Sequence, residues 1–307
     1  MTMESRYTRG DAFCAEAKGF ARPLFVIAHQ DDELGYAGLI QRLGPKTRFT
    51  WLTNGDGLYF QMGVTPAEYA EIRKKEAVNA VGAIGIPESH TECLDFSEVE
   101  IYRRMAWLYS GEKTMSDLRE FFDEIRARVR RAIDEHEPDA VFTCAYQGGQ
   151  PEHDLTHFFT ALALRDVARE RGVRIPFFHL PEYEYTILIA MRFHPLYRGT
   201  RMRIRLTPEE LAGKQRVVEA YPSQKQLFEQ FRKVFRNFGV IGMLTGGPTS
   251  VEEYMSIEEF GPVPLAFDYA RPPHVFDYFS YMFDDFEGTK VTFARSVLPI
   301  VRHYLNA

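Results

Sequence analysis

The sequence is poor in cysteine, and the three it has, Cys14, Cys93 and Cys144, are scattered. They form no CxxC pair and no dense set, which excludes a disulfide framework and a cysteine-built zinc site and fits a reducing, cytoplasmic setting. No stretch is long and apolar enough to cross a bilayer, so no membrane association is expected. Residues 1–22 form a separate N-terminal segment that carries charges throughout (Glu4, Arg6, Arg9, Asp11, Glu16, Lys18) instead of the apolar run of a signal peptide. A basic run is missing too. With 37 Lys and Arg against 43 Asp and Glu the formal net charge is −6, which disfavours electrostatic capture of nucleic acid. No strand-like segment is followed by GxGxxG, so a nicotinamide cofactor is not implied. What remains is a small-molecule partner, with assembly into a homo-oligomer left open.

What is present is one sizeable core, since 45% of the 307 residues are hydrophobic. Leu24–Ala28, Arg48–Thr53 and Ala140–Ala145 read as short apolar strands buried on both faces. Between and after them lie helix-like segments: Pro66–Ile84, the strongly charged amphipathic Met115–His136, and His153–Arg171. The alternation predicts an α/β fold, a Rossmann-like, mostly parallel sheet flanked by helices. Residues 23–205 are expected to form this domain. Within it, Phe177–Ala190 and Met202–Leu206 read as further strands. Residues 206–307 are a helical and aromatic-rich C-terminal part that packs on the same domain and shapes the pocket. Helices are expected at Pro208–Ala220 and Gln224–Phe238, broken at Tyr221-Pro222, while the last sixty or so residues show no clear period.

Open α/β sheets bind ligands outside the carboxyl ends of their strands, and two polar clusters stand there. His29-Gln30-Asp31-Asp32-Glu33 follows the first strand, and Gly148-Gly149-Gln150-Pro151-Glu152-His153-Asp154 follows Ala140–Ala145. Two strand ends thus bring His29, Asp32 and His153 together. Two imidazoles and a carboxylate suit zinc, with another divalent transition metal as the alternative, and three protein ligands leave a position for water, the catalytic pattern. Such a metal activates water and polarises an amide oxygen. Asp31, next to ligand Asp32, is then the general base. The bland reading, acids capping the next helix, applies better to Glu33. His157, one helical turn beyond His153, and Glu152 are read as orienting groups around the ligands.

The segment AHQDDELGYAG resembles the AHPDDE signature of the PIG-L/LmbE family of zinc-dependent N-acetylglucosaminyl deacetylases. TNGDG, with Asp56, resembles that family's Thr-x-Gly-x-x-Gly loop. Arg73-Lys74-Lys75-Glu76 resembles its Arg-x-x-Glu helix, GGQPEHD its Gly-His-Pro-Asp-His segment, and Lys214 with Tyr221-Pro222-Ser223-Gln224 a later Lys, Ser-Gln pattern. The resemblance spans roughly residues 23–225. It implies metal ligands at His29, Asp32 and His153, a base at Asp31, and substrate contact by Arg73; Asp56, Tyr146 and Gln150 are further substrate-binding candidates. It also implies hydrolysis of an N-acyl, expectedly N-acetyl, group on a small amino-sugar-like molecule. Two departures stand out. Gln30 replaces the usual Pro, and Gln150 with Glu152 replaces the usual His and Asp, removing an imidazole that would steady the oxyanion. The alternatives are the same chemistry on a non-sugar amide and a non-catalytic family member. His179, Glu182 and Tyr183 are further pocket candidates.

Overall fold

A computed structural model describes residues 3–184, 189–194, 196–230, 250–273 and 281–306. Among these, seven strands form one sheet in the order β3-β2-β1-β4-β5-β9-β8. The strands are β1 (Pro23–Ile27), β2 (Arg48–Thr53), β3 (Thr91–Phe96), β4 (Ala140–Cys144), β5 (Phe177–Leu180), β8 (Met202–Arg205) and β9 (Ile257–Pro262). β1 to β5 pair in parallel, and β9 and then β8 extend the sheet antiparallel at one edge. The mostly parallel α/β architecture expected from the sequence is the one observed. Two short hairpins lie outside the sheet: β6 (Tyr183–Glu184) with β7 (Ile189–Ala190), and β10 (Asp285–Phe286) with β11 (Thr289–Lys290).

Successive β1 side chains enter opposite cores, as a pleated strand covered on both sides requires. Leu24 and Val26 pack with α4 (Glu98–Ser110), α5 (Met115–His136), α6 (Pro151–Arg171) and the helix Leu298–Leu305. Phe25 and Ile27 pack with α1 (Met3–Ala17), α2 (Ala37–Leu43), α3 (Pro66–Gly82) and α7 (Pro208–Glu219). On this second face Trp51 packs on Phe49 within β2 (5.6 Å), and Phe49, Phe25, Phe142 and Phe178 stack across β2, β1, β4 and β5 with centroids 5.1, 4.8 and 5.0 Å apart. Such cross-strand pairs fix the register that aligns the strand ends.

The predicted helices form, and their starts are chemically marked. Thr65 and Glu68 make a capping box for α3 with Pro66 behind it, and Thr114 and Asp117 make one for α5. Three differences from the sequence reading have physical causes. Residues 177–190 are not one strand: Pro181 has no N–H to give a ladder, so β5 stops at Leu180 and the chain turns into the β6/β7 hairpin. Residues 1–22, set apart only as an N-terminal segment, contain α1, whose Phe13 lies between Phe178 and Phe260. β3 and α4 escaped the apolar-run reading because β3 is only partly buried. Of the helix expected at Gln224–Phe238, residues 225–230 are helical and residues 231–238 lie outside the described ones.

β9 brings two adjacent acids, Glu258 and Glu259, into full burial. Glu258 accepts the N–H of Gly38 (2.9 Å) and Leu39 (2.8 Å) at the start of α2, and Lys214 Nζ at 3.0 Å; Lys214 also donates to Gly35 O at 2.8 Å. Lys214 is thus a buried, paired charge and not a solvent-facing one. Breaking a buried pair strands its partner, so Lys214→Ala is expected to lower unfolding free energy by about 3–5 kcal/mol, measured by urea denaturation. A loss below about 1 kcal/mol, the range of an exposed pair, would show the pair to be idle.

Candidate active site

Strand order reverses between β1 and β4: from β1 the chain passes to β2 on one side and later to β4 on the other. The two loops leaving this switch point diverge and open a crevice, and both polar clusters sit in it. His29 Nδ1, His153 Nε2 and Asp32 Oδ1 form a triangle with sides of 3.0, 3.0 and 3.7 Å. Three donors at 2.0–2.1 Å around a tetrahedral ion stand roughly 3.3 Å apart, so these residues form a group that could hold a metal ion. His153 and Asp32 are buried, and the His153 ring stacks on Tyr183 with planes 4° apart.

Asp32 is fixed by the backbone that leads to it. Its Oδ2 accepts the N–H of Ala28 (3.0 Å) and His29 (2.8 Å), and Cys144 Sγ lies 3.3 Å away. Burial opposes its charge, but the charge and hydrogen bonds of His153 and then His29 hold its carboxyl well below the usual carboxylate range. His153 itself is lowered by burial. Burial also opposes charge on His29, yet Glu98, Asp32 and Glu152 around it outweigh that and push it up to about 10. The surroundings of His29 therefore call for a cation.

Asp31 adopts φ 120°, a conformation that Asp and Asn tolerate better than most residues. Its N–H is held by Glu33 Oε2 at 3.2 Å, and Glu33 in turn accepts from Trp51 Nε1 (3.3 Å) and the Tyr221 hydroxyl. Glu33, read as a helix-start charge, is a fully buried brace for this turn. Arg73 Nη2 lies 3.0 Å from Asp31 Oδ2, and the guanidinium is set by Glu76 and by the Tyr221 ring 5.1 Å from its carbon. Burial raises Asp31 to about 7 even though Arg73 opposes the rise. Gly55 lets the chain pass close by, since a Cβ there would lie 2.5 Å from Gln30 Oε1 and 2.9 Å from Arg73 Cβ. Gln30, where the sequence departs from Pro, is wholly buried and donates to Thr53 O at 2.7 Å, tying the β1 loop to the end of β2.

Above these groups lies a cleft of about 430 Å³ lined by His29, Asp31, Asp32, Arg73, Gln150 and Glu152. Glu98, Tyr102, Tyr183 and several aromatic rings complete its walls. Burial pushes the Glu152 carboxyl up to about 8. The donor geometry and the sequence order agree with one family: residues 24–164 match the model of the PIG-L, GlcNAc-PI de-N-acetylase, family. That segment is a PIG-L domain.

The family that this segment matches is one of N-deacetylases, and the match covers just under half of the chain. No protein of curated function matches its sequence. Among solved structures the chain is similar to a deacetylase in complex with teicoplanin, from the teicoplanin biosynthesis pathway (TM-score 0.57, 20% identity, 80% of this chain and 100% of that one). It is also similar to the zinc-inhibited form of teicoplanin deacetylase Orf2 (TM-score 0.54, 20%, 78% and 97%) and to the A40926 pseudoaglycone deacetylase Dbv21 (TM-score 0.52, 22%, 81% and 99%). At these identities the likeness is one of fold.

Within the PIG-L domain, His29, Asp31, Asp32, Arg73, Gln150, Glu152 and His153 converge, and three expected site residues stand apart. Asp56 accepts from the Ser97 hydroxyl and from Val99 N (3.3 Å), so it secures the start of α4. Tyr146 donates to Tyr269 O (2.9 Å) among Phe267, Tyr269 and Phe293. His157 is fully buried behind the crevice. Of the remaining candidates, Tyr183 lines the cleft, Glu182 lines a neighbouring cavity, and His179 is buried against Phe193 and Tyr197. Glu98, on α4, was missed; Ser97 three residues before Glu100, a helix-start pattern, would have placed a helix there.

His157 Nδ1 lies 2.7 Å from Cys144 O, an acceptor, so Nδ1 carries the proton and Nε2 accepts from the Tyr269 hydroxyl at 3.2 Å. Burial lowers this histidine from 6.5 to about 4. The folded state therefore binds the neutral ring, a contribution fully present above pH 6.5 and lost as pH falls from there through about 4. Urea midpoints between these values are expected to fall less steeply in His157→Gln than in the parent, and parallel slopes would exclude the effect.

Proposed function

We propose that the protein is a zinc-dependent hydrolase that removes an acyl group, expectedly acetyl, from a nitrogen of a small amino-sugar-like molecule in the cytoplasm. One observation carries this: the donor triangle of His29, Asp32 and His153 lies beside the carboxylate of Asp31 at a single cleft, which His29, Asp31 and Asp32 line. The PIG-L domain supports the reaction class, and the deacetylase names of the structural neighbours accord with it.

The donor set fits zinc, because two imidazole nitrogens and one carboxylate oxygen stand at suitable separations and the acids around His29 favour a cation. When bound, zinc supplies a Lewis acid that polarises the amide carbonyl and makes a water easier to deprotonate. The remaining work falls to the chain. Asp31 uses Oδ2 to hold Arg73, which leaves Oδ1 to take the proton of the attacking water and return it to the leaving nitrogen. Arg73 keeps that carboxylate aimed, and Glu33 fixes the turn that presents it. Tyr183 stacks against His153 and closes one side of the cleft. Gln150 stands where the family places a histidine, and its amide donates a hydrogen bond without charge to the developing oxyanion.

A second reading keeps the chemistry but takes a non-sugar amide as substrate, and Gln150 is the residue that favours it. Acetate release from a panel of N-acetylated amino sugars and acyclic N-acetylated amines, with elemental analysis of the same preparation, tests both. Metal-loaded protein that frees acetate from none of them would overturn the deacetylase reading.

A further inference from the structure

The cleft wall beside His29 is more acidic than hydrolysis requires. Asp32 belongs to the donor triangle and Asp31 is paired with Arg73, but neither Glu98 nor Glu152 is matched by a Lys or Arg among the described residues. Candidate ligand atoms of His29, Glu98 and Glu152 all lie within 4.8 Å of one another. Glu152 is 1% exposed, and the Tyr102 hydroxyl beside it is taken by Phe283 O at 3.0 Å, which leaves the carboxylate oxygens without a full hydrogen bond. Gln150 lines the same cleft, is 9% exposed, and likewise leaves Oε1 unpartnered. Glu98 accepts from Thr53 Oγ1 at 3.1 Å through Oε1, while Oε2 stands 3.9 Å from His29 Nε2. Buried acceptors without donors are costly, so this wall is complementary to a ligand that brings both hydrogens and positive charge. The rings of Tyr102, Phe283 and Phe286 line the cleft as well, and ring faces attract cations.

We propose that this wall is a subsite for a protonated amine of the substrate: besides its acylated nitrogen, the molecule hydrolysed carries a free ammonium, which donates to Gln150, Glu98 and Glu152. An ammonium has three N–H donors and no acceptor, and the wall offers three acceptors. A phosphate or carboxylate in the same place would face buried carboxylates and be rejected. A second divalent ion is the competing occupant. It would have to take His29 Nε2 while Nδ1 serves the donor triangle, stripping the ring of its last proton, and it would leave Gln150 unsatisfied. The ammonium uses all the acceptors without that deprotonation.

The inference rests on the deacetylase reading, and the test separates the two. Metal-loaded protein is given N-acetylglucosamine, its analogue with an amine in place of the primary hydroxyl, and its primary phosphate ester. The expected kcat/KM is highest for the amine, above the hydroxyl by about tenfold or more, the effect of one well-placed charge pair, and lowest for the phosphate. In Glu152→Gln the amine-to-hydroxyl ratio should fall toward one, a readout that a general loss of rate would not move. Equal kcat/KM for amine and hydroxyl, or a ratio untouched by Glu152→Gln, would overturn the subsite while leaving the deacetylase reading intact. So would elemental analysis showing two metal ions per chain, one of them lost in that variant. If none of the sugars is hydrolysed, the deacetylase reading fails and the subsite is judged by calorimetric binding alone. Tighter binding of the free diamino sugar than of glucosamine, dependent on Glu152, upholds it, and equal binding overturns it.

Discussion

Asp31→Asn is expected to retain metal and to lose about 10²–10⁴ of kcat, the usual worth of a general base. The substitution isolates one property. Asn keeps the shape of the side chain, can still accept from Arg73, and tolerates the positive φ of 120° that would strain most residues. What it lacks is the capacity to take a proton from water. Fold and metal content should therefore be preserved while turnover collapses, and single-turnover measurement with elemental analysis on the same sample reads both. A variant that turns over near the parent rate with metal bound would move the role to another carboxylate. Glu152, raised by burial to about 8 and lining the same cleft, would be the first to examine.

Asp32→Ala should do the reverse and strip the metal, taking essentially all hydrolysis with it. Outer partners of metal ligands are typically worth roughly 10–100-fold in affinity, and losing one of three ligands should exceed that. Asp32 also holds the backbone of Ala28 and His29, so its loss frees the loop that aims a second donor. The effect is expected in metal content after dialysis as well as in rate. Full occupancy in this variant would sink the assignment of the donor triangle.

Both residues were legible because their signal is local. An apolar strand running straight into His29-Gln30-Asp31-Asp32, and a second running toward His153, need only the rule that parallel strands present their carboxyl ends to ligands. The amphipathic α5 was equally plain, its charged face and capping box leaving no competing reading. What stayed hidden depends on partners distant in sequence. Nothing in the sequence around Glu258 and Glu259 announces burial, yet both are fully buried, one held by Lys214 and the α2 N–H groups, the other by Arg203 and Phe193 N. Asp56 looks like a ligand-binding loop acid but is taken up by the start of α4. Glu98 reaches the cleft only because that helix begins beside the end of β2, a closeness that sequence spacing does not reveal. Tyr183 stacks on His153 from a hairpin that the apolar pattern had blurred into a single strand.

The position of Glu258 has a consequence for what can be cut or transplanted. The chain runs from the donor loop directly into α2, and the anion seated at that helix start belongs to a strand more than two hundred residues later. A fragment ending at residue 164, where the family match stops, would keep His29, Asp32 and His153 but leave two N–H groups of α2 without their acceptor and β4 without its outer neighbour β5. The donors and the far end of the chain are therefore one mechanical part: exchanging the C-terminal third to alter substrate choice would also loosen the turn that carries His29 and Asp32.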